Sequence, residues 1–414
     1  MIQPLRYALI AALVGAPASA VDVRYGVSVR TDARARTPLV GDVGTTVTGD
    51  LELTPRADLA LGVDSSTFSA MYSPTLVWRE PQTGGRFLPL HRARLAFDTR
   101  WSRANLTVAQ EGAYGLTDVG FLRQPNDSVP AGEVQTQTLG IVPYLRSATL
   151  LNLEARPNDV LSAGLSAAYL VSGSLESLAM PLQYGPMVSL RARLAVSRTD
   201  GLTTQAQASQ ATFVTGQEQF IAQLWEIWDR QVSRTVSFNS GAGIALTREQ
   251  VIARQGIPGT YSELLPIALA SLSWNDVLAG QPLLLTTSLR MAPFADRFTA
   301  NVYERIEARV AGQWRPGKDW IATTAVGAAQ AVPISLALSR PPAAETIDRT
   351  GLNQAGDRAL FGEAAVGWTP KLWLLVQASG RVLWTEQPRY GQPGQVQAVA
   401  TLSVTVQQQD SLAW

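Results

Sequence analysis

The chain has 414 residues, no cysteine, one histidine and a net charge of +1, and 46% of its residues are hydrophobic. Without cysteine it carries no disulfide, no thiolate metal site and no lipid-modified N-terminal cysteine. A charge this close to neutral offers no global field for nucleic acid, and beyond Ala20 no apolar run reaches the roughly 20 residues of a membrane-spanning helix.

Arg6, the apolar run Tyr7–Ala16 and the small-residue site Ala18-Ser19-Ala20 stand in the order of a secretion signal, predicted over residues 1–20. The rest, residues 21–414, has no linker, composition shift or charge block and reads as one domain. A first strand is expected over Asp22–Thr31 and a first short turn at Thr54-Pro55-Arg56-Ala57-Asp58. Asp58–Glu80 then reads as one long strand or two short ones. Short turns rich in Pro, Asp, Asn, Gly and Arg recur at Arg100–Arg103, Arg156–Asp159, Arg198–Gly201, Asp229–Arg234, Asn275–Pro282, Arg315–Asp319 and Thr369–Lys371. Longer connections, such as Leu116–Val134 and Pro333–Asp357, lie between them. The last strand is expected over about Gln395–Gln407.

Between the turns the residues alternate with period two. Val188, Leu190, Ala192, Leu194 and Val196 interleave with Ser189, Arg191, Arg193 and Ser197; Val302, Ile306, Ala308 and Val310 interleave with Tyr303, Arg305, Glu307 and Arg309. A helix would scatter these sets around its surface, whereas a strand puts each on one face. Glu304 breaks the rule on its apolar face, and Gly216–Arg230 alternates poorly. Eight short turns join sixteen strands, and the terminal strands bring the count to about eighteen.

Short turns alternating with longer loops are the asymmetry of outer-membrane barrels, whose periplasmic turns are short. Trp101, Trp228, Trp274, Trp314, Trp320, Trp368 and Trp373 lie within or beside the short turns, as an interfacial aromatic girdle would. The final residue, Trp414, has the character of a C-terminal signal for the barrel-assembly machinery. The polar interruption Gln407–Asp410 implies that the last strand ends early or bends. A soluble β-sandwich would also alternate. The girdle, the turn asymmetry, the terminal aromatic and the secretion signal favour an all-β, closed antiparallel transmembrane barrel in lipid, integral to the outer membrane.

About eighteen strands enclose an aqueous channel. Parity assigns Arg92, Arg94, Arg191, Arg193, Arg290, Arg305, Glu307, Arg309 and Arg381 to the lumen, with Asp50, Glu52, Asp64, Asp98, Glu111, Gln205, Gln207 and Gln377. Two readings stand: a self-neutralising network that stiffens the wall, or a mildly cationic path for polyanions or sugars. Catalysis is not expected, because a Ser-His-Asp set would need His91 as its base, and His91 falls on the apolar parity with Ala93, Leu95 and Phe97. One histidine without cysteine suits no zinc site, and no cofactor is expected.

Met71-Tyr72-Ser73-Pro74-Thr75-Leu76, the run Leu90-His91-Arg92-Ala93-Arg94-Leu95, and Gln110-Glu111-Gly112-Ala113-Tyr114-Gly115 carry a likeness. With the strand count and the missing plug, the chain resembles the Wzp family of myxobacterial outer-membrane barrels. That resemblance implies export of a polysaccharide together with a short periplasmic polysaccharide-export protein. The other function class is a stand-alone diffusion porin. The loops offer no evident constriction of the kind a selective porin needs.

Overall fold

The computed structural model describes residues 21–36, 48–79, 87–118, 141–177, 180–251, 259–295, 302–333, 357–387 and 392–413. They form nineteen strands in chain order: β1 (Val21–Arg36), β2 (Thr48–Val63), β3 (Ser66–Tyr72), β4 (Thr75–Arg79), β5 (Phe87–Arg100), β6 (Ala104–Asp118), β7 (Ile141–Ala155), β8 (Leu161–Gly173), β9 (Gln183–Ala195) and β10 (Asp200–Phe213), then β11 (Glu218–Gln231), β12 (Val236–Val251), β13 (Gly259–Leu278), β14 (Gln281–Ala295), β15 (Val302–Gly317), β16 (Trp320–Pro333), β17 (Asp357–Lys371), β18 (Leu374–Gln387) and β19 (Gln392–Ala413). Apart from β3 and β4, chain neighbours pair antiparallel all the way round. β1 joins β2 on one side and β19 on the other, from Asp22↔Ala413 to Arg36↔Val399, which closes the sheet into a barrel.

β3 and β4 are two halves of one stave, since both pair with β2 and with β5. The barrel therefore has eighteen staves. The break falls at Ser73-Pro74, opposite Thr54–Arg56 of β2, which have no partner on that side. Pro55 thus stands where a ladder hydrogen bond is already missing, one of the few places a sheet tolerates proline. This corrects the expected first turn: β2 runs straight through Thr54–Asp58, and the chain reverses at Asp64-Ser65 instead. Asp64, expected in the lumen, is a turn residue with φ of 47°.

The other seven expected turns fall at β5–β6, β7–β8, β9–β10, β11–β12, β13–β14, β15–β16 and β17–β18. At β13–β14 both central residues, Ala279 and Gly280, have positive φ (51° and 77°), the primed turn whose twist matches its strands. The Val21 end of β1 and the Ala413 end of β19 lie at the short-turn end, beside Val63. β19 does not end early: Gln407–Asp410 pair rung by rung with Ser28–Tyr25. Most of the long connections Leu116–Val134 and Pro333–Asp357, and Trp414, lie outside the described residues.

The two faces of the wall differ as the alternation demands. Leu190, Leu194 and Val310 stand 53%, 45% and 47% exposed on the outer face. Leu51, Leu95, Leu289, Val326 and Val382 do the same around the ring. Contiguous apolar surface on this scale does not persist in water and suits lipid. Replacing Leu190 by Arg should therefore cost about 2–4 kcal/mol of stability in a bilayer. Ser189→Arg, on the inner face of the same strand, should cost far less. Urea titrations of the two variants in lipid vesicles measure this, and equal losses would mean that the facing is wrong.

Candidate functional site

The inner face carries many of the charges, and several are paired along one strand, across neighbouring strands or over one intervening strand. Asp32, 1% exposed, accepts from Arg30 (2.8 Å) and Arg34 (3.1 Å), and Arg34 also reaches Glu52 at 2.6 Å. Asp50 faces Arg34 in register. Glu111 lies 3.4 Å from Arg94 and 3.8 Å from Arg146, and Thr107 donates to Asp98 at 2.5 Å. Arg193 pairs with Asp229 at 2.6 Å, Arg309 with Glu363 at 2.9 Å, and Arg305 with Glu307. Arg381 stands across from Glu363 in register, and Arg92 across from Ala113. Arg191 sits between Gly164 and Gln205, Gln207 faces Gln223, and Gln377 faces Gly367. Sequence reasoning missed Arg30, Asp32, Arg34, Asp229 and Glu363. The period-two run Arg30, Asp32, Arg34 was the signal that could have found the first three.

The wall itself supplies a constriction. β13 pairs with β12 along its whole upper part, to Val251↔Gly259, but with β14 only from Ala268↔Met291 downward. Above that rung the ends of β14 and β15 leave the wall and lie across the inner face of β11–β13. Gln223 of β11 donates its side-chain N–H to the Pro293 carbonyl (3.3 Å), although β12 and β13 intervene in the sheet. Val302 N–H donates to Glu249 of β12 at 3.1 Å. Beneath this hairpin Ile221, Trp225, Ala245, Leu265, Ile267, Ala292 and Val302 form a buried apolar cluster.

That packing explains three departures from the pattern. Val302 has outer-face parity, yet it is fully buried against the inner wall rather than turned to lipid. Glu304, two residues on, falls within electrostatic reach of Glu263 on β13 instead of entering the lipid face. β11 alternates poorly because its inner residues Ile221, Trp225 and Ile227 are covered, so both of its faces are apolar. Pro266 and Pro293 fall in the stretches where β13 and β14 have parted, and an edge strand can accommodate proline. Among the described residues, strand ends rather than a loop make the constriction.

A second inward fold lies between β8 and β9. Met180, 1% exposed, packs on Leu90, Ala113, Val142 and Tyr144 of the inner face of β5–β7. His91 lies outside this lumen: its Nδ1 is 2.7 Å from the Tyr72 hydroxyl, and the two rings stack at 6.2 Å on the outer face. The seven tryptophans stand at the short-turn end with none buried. Trp320 stacks on Trp368 at 5.7 Å, and Trp314 donates to the Leu278 carbonyl at 3.4 Å. Arg56, paired with Asp58 at 2.7 Å, is inside the barrel and not on the short-turn rim, where Arg103, Arg156 and Lys371 are exposed.

A solved porin-type barrel, OccAB1 of Acinetobacter baumannii, superposes with a TM-score of 0.50 over 94% of this chain and 96% of its own, at 10% identity. OpdK of Pseudomonas aeruginosa gives 0.49 over 95% and 99%, at 11% identity. The first likeness shows the fold and nothing finer. No curated protein sequence matches the chain. A closed barrel with an apolar outer wall and a polar inner one suits a conduit across the outer membrane. Residues 16–412 match the family described as the EpsX exopolysaccharide export family, and the chain belongs to it.

Proposed function

We propose that this barrel is the outer-membrane exit of an exopolysaccharide export machine, reached through a secretion signal over residues 1–20 and inserted by the barrel-assembly machinery. The observation that carries this reading, beside the family, is the character of the inner wall. Several of its charges are spent on one another, as in Arg34–Glu52, Arg193–Asp229 and Arg309–Glu363. What remains is a surface of amides, hydroxyls and a few guanidinium groups that make no ion pair among the described residues, which exchanges hydrogen bonds with sugar hydroxyls without gripping them. A conduit for a long polymer needs many weak contacts of this kind, because one tight site would stop the chain.

A lumen of this width endangers the cell when empty. The β14–β15 hairpin narrows it, held by the Gln223–Pro293 and Glu249–Val302 hydrogen bonds and the apolar cluster beneath. A short periplasmic polysaccharide-export protein docking on the rim that carries Arg103, Arg156 and Lys371 would supply the polymer. Trp101, Trp228, Trp274, Trp314, Trp320, Trp368 and Trp373 act as the interfacial girdle, and Trp414 serves as the assembly signal.

Deleting the gene should abolish surface appearance of one polysaccharide while permeability to small solutes stays nearly unchanged. Immunolabelling or dye binding of the polymer, set beside antibiotic and sugar uptake, measures this. Normal polysaccharide with a loss of solute uptake would make the protein a diffusion porin. Removing the two hydrogen bonds that hold the hairpin, by Gln223→Ala with Glu249→Ala, should raise single-channel conductance in planar bilayers severalfold, since each bond contributes only about 0.5–3 kcal/mol. Unchanged conductance would show that the hairpin is not what narrows the pore.

A further inference from the structure

The hairpin does more than narrow the lumen: it roofs a cavity. The space lies between the inner faces of β9–β11 and the inward ends of β14 and β15, and measures about 360 Å³. That is within the roughly 300–1,000 Å³ usual for small-molecule sites. Ile221 and Phe294 supply apolar surface, and Gln207, Gln219, Arg290 and Glu307 supply polar groups. Gln219 is 1% exposed, and among the described residues neither its amide nitrogen nor its amide oxygen has a hydrogen-bond partner. A buried amide left so costs about 1–3 kcal/mol, and nearly all buried polar groups in folded proteins are paired. Glu249, its neighbour across the ladder, is turned to Val302 N–H.

The cavity also carries an unbalanced charge. Of the ionic groups lining it, Arg305 and Glu307 are joined in an ion pair. Arg290 stands beside Glu307 in register, and among the described residues it makes no ion pair. From the idle amide, the unspent guanidinium and the apolar wall together, we infer that the cavity is a subsite for one carboxylate-bearing sugar residue of an anionic polymer. This deepens the export reading and rests on it. The planar fork of Arg290 takes the carboxylate, Gln219 and Gln207 exchange hydrogen bonds with ring hydroxyls, and the C–H face of the sugar lies toward Phe294 and Ile221. A polymer passing the hairpin would be held there one residue at a time, which makes the gate selective for charge as well as for width.

The test uses the purified full-length barrel in detergent, titrated calorimetrically with an oligoglucuronate and with a neutral glucan oligosaccharide of the same length. The acidic oligomer should bind at least about tenfold more tightly than the neutral one, and Arg290→Gln should remove about that factor. Gln219→Leu should weaken binding while raising thermal stability, a combination that a purely structural glutamine would not produce. Resistance to unfolding in cold detergent establishes that each variant is still a barrel. Equal binding of both oligomers, absence of binding, or undiminished affinity in both variants overturns the subsite. If the deletion strain still loses its polysaccharide in that event, the export reading stands without the subsite. Acid-selective binding in the barrel, with normal polysaccharide in the deletion strain, would keep the subsite and remove the export role.

Discussion

Every feature of this molecule depends on one requirement: in lipid, each backbone N–H and C=O must find its partner within the protein. A strand cannot satisfy both of its edges alone, so the sheet must close, and the β1–β19 ladder closes it over fifteen rungs from Asp22 to Arg36. Closure forces a through-going interior, and eighteen staves are too many for side chains to fill it. An apolar outside and a polar inside then follow from the pleat alone, because successive residues face opposite ways. The ion pairs of the lumen follow in turn. Side chains that lipid would not tolerate are brought across from one another at ladder distance, where Arg34, Asp32 and Glu52 neutralise each other.

The same requirement makes the parting of β13 from β14 informative. A barrel seam that opens above Ala268↔Met291 leaves edge groups without a neighbour in the wall. The hairpin that leaves the seam recovers part of that loss inside the lumen, through Gln223 to the Pro293 carbonyl and Val302 N–H to Glu249. The apolar cluster of Ile221, Trp225, Leu265 and Ile267 adds burial that an open polar lumen would not provide. The constriction is therefore an integral piece of the wall. Its position is tied to β11 and β12 by these hydrogen bonds and the apolar cluster. The cavity beneath it is lined by Gln219 and Arg290 among others.

The proposed export role asks for a lumen that is wide and weakly adhesive. The ring of staves supplies the width, the mutual pairing of charges the weak adhesion, and the inward strand ends occupy part of the interior. The histidine takes no part, since His91 is engaged with Tyr72 on the outer wall.

The alternation of Leu190, Arg191, Ala192, Arg193 and Leu194 was enough by itself to set strand, facing and register parity, because the pleat has period two and lipid penalises the wrong phase. The punctuation at Arg100–Arg103, Arg156–Asp159 and their successors was enough to set the stave count, since turn chemistry is local. Thr54–Asp58 misled because proline marks both a turn and a gap in a ladder, and only the break opposite it, at Ser73-Pro74, tells the two apart. Likewise Glu304 looked like a fault in an outer face, and Val302 passed for a lipid-facing residue. A strand pattern reports which residues share a side, but it carries no information about whether that side still belongs to the wall. That decision was made by tertiary structure, where the parting of β13 and β14 turned the outer face of one hairpin onto the inner face of the barrel and made the cavity around Gln219 and Arg290.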